Sequence, residues 1–144
     1  MSKLASKDVP LQEVTLRKYE SPSTDDKREL TKKFLLSVGL LQPGESRDII
    51  VDIFLQLLQA RKEKVLISIP QLIEKLPAKG KSAPNVRRQL RRLRELKLVE
   101  KQADNYRITE FGSLHPIIND YIIQFLVNPS IDRVKEYAKK LDEF

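Results

Sequence analysis

The 144-residue chain has no cysteine and no tryptophan, one methionine, one histidine and four glycines. Without cysteine it can form neither disulfides nor thiolate metal sites, and it suits a reducing compartment. The lone His115 stands beside Pro116 and reads as a helix-start residue, not a general base. No Ser/His/Asp grouping, glycine-rich phosphate loop or zinc-ligand spacing occurs, so neither catalysis nor a cofactor, metal or small-molecule ligand is expected. No stretch approaches the roughly 18 uninterrupted apolar residues of a membrane span, and the opening M-S-K-L-A-S-K-D lacks a signal-peptide core. The expected location is cytoplasmic. Few glycines and 40% apolar content argue against disorder, and the length fits one domain.

What the chain does have is concentrated charge. The segment Lys79 to Lys97, K-G-K-S-A-P-N-V-R-R-Q-L-R-R-L-R-E-L-K, holds eight basic residues against one acid, Glu95. Outside it 19 basic residues face 19 acidic ones, so the net charge of +7 resides in this segment. A cationic surface so localised points to a nucleic-acid partner more than to general solubility.

In chain order, residues 1–23 read as a flexible or extended arm, with E-V-T-L-R-K-Y-E (Glu13 to Glu20) a short strand or extended stretch. Caps and acids before Lys27 predict a helix from about Thr24 to Val38, ended by Gly39. Ser46 is the expected cap of a second helix, Arg47 to Lys62, apolar nearly all round and therefore either central or shared with a partner subunit. Asp48 and Asp52 on it lack a third metal ligand and read as a solvated face. Val65-Leu66-Ile67 is a brief β-type run. Ser68 with Pro70 opens a short helix to Leu76, and Ser82 with Pro84 opens another to about Leu96. L-V-E-K-Q and Y-R-I-T around Ala103-Asp104-Asn105 predict a hairpin with a three-residue turn. Thr109 is placed to cap Glu110 to Leu114, and Pro116 to start or kink a helix to Val127. Asn128-Pro129-Ser130 should break that helix before a last one, Ile131 to Asp142. The fold class expected is mostly α with a small β-hairpin (α+β).

The helix pair Pro70 to Leu76 and Pro84 to Leu96, followed by L-V-E-K and Y-R-I-T-E-F-G, resembles the winged helix-turn-helix family over Glu45 to about Gly112. With T-L-R-K-Y-E and L-L-Q-P-G-E-S-R-D the chain is similar to small uncharacterised archaeal winged-helix DNA-binding proteins. The resemblance implies an N-terminal helix plus winged helix-turn-helix core over 24–112, and C-terminal helices over 113–144 that form a homodimer, the alternative being a monomer in which they cover the core. One position departs: the family commonly has glycine before the Leu-Val that enters the wing, and this chain has Lys97. The helix end is therefore expected to be shaped differently.

On a helix from Ser82, Val86, Leu90 and Leu93 form a narrow core stripe, and Arg87, Arg88, Arg91, Arg92 and Arg94 span an arc of about 160° opposite. That is wider than one groove floor, so base contacts are expected near the helix start and phosphate contacts elsewhere. Arginine suits both, because its planar fork pairs with guanine or phosphate; Asn85 can pair with adenine. Ser82 and the free amides at the helix start can hold a phosphate. Lys79 and Lys81 on the turn, with Lys101, Asn105 and Arg107 on the wing, extend the surface. Tyr19, Tyr106, Phe111, Tyr121 and Tyr137 are spread too widely for a base-stacking platform and are expected in the core.

The expected function is double-stranded DNA binding, as a transcriptional regulator or chromosome-associated protein. An RNA- or ribosome-associated factor would use the same phosphate-binding surface, and a protein-interaction winged helix would present it to an acidic partner.

Overall fold

The computed structural model describes residues 8–144; the first seven residues of the expected arm lie outside them. Helix α1 (Lys27–Ser37) begins three residues later than Thr24, because Asp26 supplies the cap: its carboxylate accepts from the amides of Arg28 at 2.8 Å and Glu29 at 3.2 Å. Gly39 ends the helix at φ +78°, and a Cβ there would stand 2.5 Å from Thr15 Cβ. The arm passes close over that glycine. Residues 13–20 form no strand. They are held extended against α1, with Arg17 donating to the carbonyls of Leu36 (2.8 Å) and Leu41 (3.2 Å). Glu20 pairs with Lys33 at 2.7 Å, and the ammonium lies over the Tyr19 ring.

Helix α2 (Ile49–Glu63) also starts later than expected. Ser46 does not cap it, and Asp48 at the N-cap makes no capping bond. The carboxylates of Asp48 and Asp52, expected to be solvated, instead both accept from Arg28 at 3.2 Å and tie α2 to α1. Val51, Ile53, Phe54 and Leu57 are fully buried, and Phe34 of α1 stacks on Phe54 at 5.9 Å. The nearly all-apolar helix is therefore central to the fold, with Leu55 and Leu58 left half-buried along an open groove beside Leu30 and Phe34.

Strand β1 (Ile67–Ser68) leads directly into α3 (Ile69–Lys75), where Ser68 and Gln71 form a reciprocal capping box with Pro70 in the first turn. Helix α4 (Ala83–Glu95) is capped by Ser82 and carries Pro84 in its first turn; Val86, Leu90 and Leu93 are fully buried. Strands β2 (Val99–Gln102) and β3 (Asn105–Ile108) complete an antiparallel sheet of order β1-β3-β2, with Ile67 opposite Tyr106 and Val99 opposite Ile108. The chain is thus mostly helical with a small antiparallel sheet. The hairpin turn is Ala103-Asp104 alone, because Asn105 already pairs with Gln102; Ala103 takes φ 53° to make it.

Thr109–Phe111 is a single 3₁₀ turn in which Thr109 caps nothing; its hydroxyl donates to the Lys97 carbonyl at 2.6 Å. Glu110 and Phe111 both adopt left-handed φ, 57° and 52°. Helix α5 (Leu114–Ile117), a π-helical stretch (Ile118–Val127) and α6 (Asn128–Asp142) then follow without interruption, with right-handed helical backbone at both junctions. The break expected at Asn128-Pro129-Ser130 does not occur. Proline removes the amide that would bond the carbonyl four residues back. Here that carbonyl, of Phe125, accepts from the Gln12 side chain at 3.1 Å, and the Leu126 carbonyl accepts from Gln12 (3.2 Å) and the Ser130 hydroxyl (2.6 Å). The orphaned acceptors are satisfied, so the helix continues.

Ile117, Ile122 and Leu126 join the core, but no residue of α6 is buried. Tyr137, expected in the core, is 69% exposed, and Val134 and Leu141 are similarly bare. Val127, Ile131, Val134, Ala138 and Leu141 recur at three- and four-residue steps, the spacing of a coiled-coil seam. Among the described residues no helix is long and apolar enough to cross a membrane.

Candidate nucleic-acid interface

The cationic segment folds into a turn, α4 and the entry to β2. Its turn is fastened by Asn85, whose side-chain amide donates to the Gly80 carbonyl at 2.7 Å while its oxygen accepts from Arg88 (2.8 Å) and Gln89 (3.2 Å). The Asn85 side chain is thereby engaged locally and would have to release these bonds to pair with adenine. The Ser82 hydroxyl accepts from the Asn85 amide at 3.4 Å as helix cap.

The arginines divide into two groups. Arg92 turns back onto the body, donating to Gln89 at 2.8 Å and to the Leu40 carbonyl at 2.7 Å. It fastens α4 to the loop after α1. Arg107 is similarly committed: its Nε donates to Glu100 at 2.9 Å, and its guanidinium lies over the Phe111 ring at 4.7 Å. Arg87, Arg91 and Arg94 are exposed and make no side-chain hydrogen bond or ion pair among the described residues. Four- and three-residue steps place these three within an arc of about 60° along one edge of α4. Arg88 stands beside them.

Lys79 and Lys101 are exposed, Lys81 and Asn105 half-buried. Asn105 sits in the sheet, opposite both Gln102 and Ser68. The freely presented cations are thus Lys79, Arg87, Arg91, Arg94 and Lys101, with Lys97 in addition.

Lys97 was not among the residues expected at the site, since on the helical wheel it falls on the apolar stripe. It escapes that stripe by taking φ 68°. Its amide donates to the Arg94 carbonyl at 2.9 Å, and the next amide, of Leu98, reaches the Leu93 carbonyl at 3.1 Å. This is the Schellman end that glycine usually makes. The helix end therefore keeps the glycine-like shape, contrary to the expectation that lysine would alter it, and the ammonium points outward.

Lys97 lines an open cleft of about 630 Å³ between the end of α4, the base of β2 and the π-helical stretch. Arg91, Arg94 and Lys101 share it, and Tyr121 and Phe125 form its far wall. The Tyr121 hydroxyl donates to Glu110 at 2.5 Å, and this carboxylate pushes the phenol above its ordinary pKa. The two aromatics sit side by side, ring centres 6.4 Å apart. From the sequence Tyr121 and Phe125 both fall on the apolar side of this helix, with Tyr121 expected in the core; in the structure Phe125 is exposed and Tyr121 half-buried. Signals for the cleft existed in lysine at a glycine position and in a tyrosine and phenylalanine four residues apart.

Among the described residues no group of three or more His, Cys, Asp or Glu side chains could hold a metal ion. No protein-family model, curated protein or solved structure matches the chain.

Proposed function

We propose that the chain is a winged helix-turn-helix protein of the cytoplasm that binds double-stranded DNA as a homodimer, as a transcriptional regulator or chromosome-associated protein. The observation that carries this reading is the unpaired ridge of Arg87, Arg91 and Arg94 on a helix preceded by a short helix and turn and followed by a two-stranded wing. An arginine ridge without acidic partners has its full hydrogen-bonding fork free for phosphate or guanine edges. Lys79 and Lys81 before the helix and Lys97 and Lys101 after it extend the positive surface along a backbone. Arg92 and Arg107 serve this surface as fasteners of α4 and the wing.

The dimer is supported by α6, whose apolar seam is packed on the core only at Val127 and is exposed from Ile131 to Leu141. All eight charged residues from Asp132 to Glu143 lie off the seam, and four are basic and four acidic. A face so balanced favours a protein partner over a nucleic acid or an anionic lipid surface. Two heads joined through α6 would offer their α4 helices to half-sites about 34 Å apart.

The test is a titration of labelled duplex DNA at several salt concentrations. If the six freely presented cations each neutralise one phosphate, the logarithm of affinity should fall against the logarithm of salt with a slope of about −5.4. Absence of duplex binding at low salt would sink the reading. Competition by structured RNA that outperforms duplex DNA would transfer the same surface to an A-form partner.

A further inference from the structure

The cleft at the end of α4 holds a combination that a duplex does not use. Phe125 is 55% exposed, and its ring projects into a cleft rimmed by Arg91, Arg94, Lys97 and Lys101. Two acids also line the cleft, but Glu100 already accepts from the Arg107 guanidinium and from the Glu110 amide at 3.2 Å. Glu95 is the one acid there without such partners, so the cleft is cationic. Tyr121, tethered to Glu110, backs Phe125 and fixes the wall against which a flat group could lie.

An exposed aromatic beside several cations is the chemistry that receives a nucleotide, the ring taking the base and the cations the phosphate. In a paired duplex every base is stacked inside and its face is inaccessible. We propose that this cleft takes an unpaired nucleotide at a strand end or junction next to the duplex held by α4. This rests on the nucleic-acid reading above and deepens it: the preferred ligand is a duplex with a single-stranded extension. The position of the cleft supports it, because Arg91 and Arg94 belong both to the ridge and to the rim. A strand leaving the ridge passes Phe125 next. The dimer seam does not compete for that ring, since Phe125 lies about 160° around the helix from Val127.

The experiment uses the full chain and three probes: a blunt duplex, the same duplex with a three-nucleotide single-stranded extension on either strand, and free AMP. One extension should bind about tenfold more tightly than the blunt duplex, the range expected for stacking one base on an aromatic ring. Phe125→Ala should abolish that difference while leaving blunt-duplex affinity within about twofold, as the ring is outside the core. Because the chain has no tryptophan, Phe125→Trp provides a unique emission signal, which the extended duplex should quench and the blunt duplex should not. Equal affinity for blunt and extended duplexes in the unaltered protein, or a preference that survives Phe125→Ala, would overturn the assignment while leaving duplex binding intact. AMP competing as well as the extension would overturn the strand-end assignment in favour of a soluble nucleotide. Failure to bind any duplex would remove the underlying reading with it.

Discussion

Replacing Lys97 by glycine should strengthen the fold and weaken the ligand contact at once. A non-glycine residue in the left-handed region costs roughly 1–2 kcal/mol from the clash of its Cβ with the carbonyl. Lys97 stands there at φ 68°, held by the Schellman bonds and by Thr109 on its carbonyl. Glycine removes that clash but adds about 0.5–1 kcal/mol of unfolded-chain entropy. The net gain is about 0.5–1 kcal/mol, or roughly 2–4 °C in Tm for a chain of this size. The ammonium is lost with the side chain, so the salt slope of duplex binding should decrease by about 0.9. Lys97→Ala separates the two effects, since it removes the charge and keeps the Cβ. Lys64, at φ 53° after α2, repeats the geometry, and Lys64→Gly should bring a similar gain in Tm. Urea or thermal unfolding with parallel anisotropy titrations would read both quantities. If Lys97→Gly were no more stable than Lys97→Ala, the strain argument would be refuted.

Arg87→Ala or Arg91→Ala should weaken duplex binding while Lys139→Ala on α6 should not; equal losses from all three would mean that only bulk charge matters. Val134→Asp, or a chain ending at Val127, should sediment at the mass of one chain, and retention of a two-chain mass would remove α6 from the interface. Gln12→Ala leaves the Phe125 carbonyl without a donor beside Pro129, so amide exchange should quicken around residues 125–130; unchanged exchange there would show that the proline is tolerated for another reason. Tyr121 has its pKa raised by the Glu110 carboxylate, so the stabilisation is complete below the ordinary phenol pKa and is lost as pH rises through the raised one. Absorbance titration should show a late-ionising tyrosine, and Tyr121→Phe should remove that late step.

Local chemistry was legible in the sequence, and long-range chemistry was not. Ser68 with Gln71 and Ser82 with Pro84 mark helix starts because every partner in the cap lies within three residues. Asp26 and Asp48 displaced the expected Thr24 and Ser46 starts by only two or three residues. The partner of Arg92 is a carbonyl 52 residues away, and that of Gln12 is 113 residues away. Neither pairing has a periodic signature, so Arg92 looked like one more surface cation and Pro129 like a helix breaker. The cleft escaped for the same reason: Lys97 and Phe125 are brought together by the course of the chain after the wing, not by spacing along one element. Asp48 and Asp52 looked solvated because their shared partner, Arg28, belongs to a different helix.

The unbroken helix from Leu114 to Asp142 makes the seam and the head two ends of a single rod. In the proposed dimer a hinge would let two heads search for half-sites, whereas a rod would set their angular phase. One residue inserted between Val127 and Asn128 turns the seam by about 100° and advances it about 1.5 Å, whereas four bring it back to within about 40° of its starting direction. Affinity for a two-fold DNA site should therefore oscillate with insertion length, with the period of the helix itself.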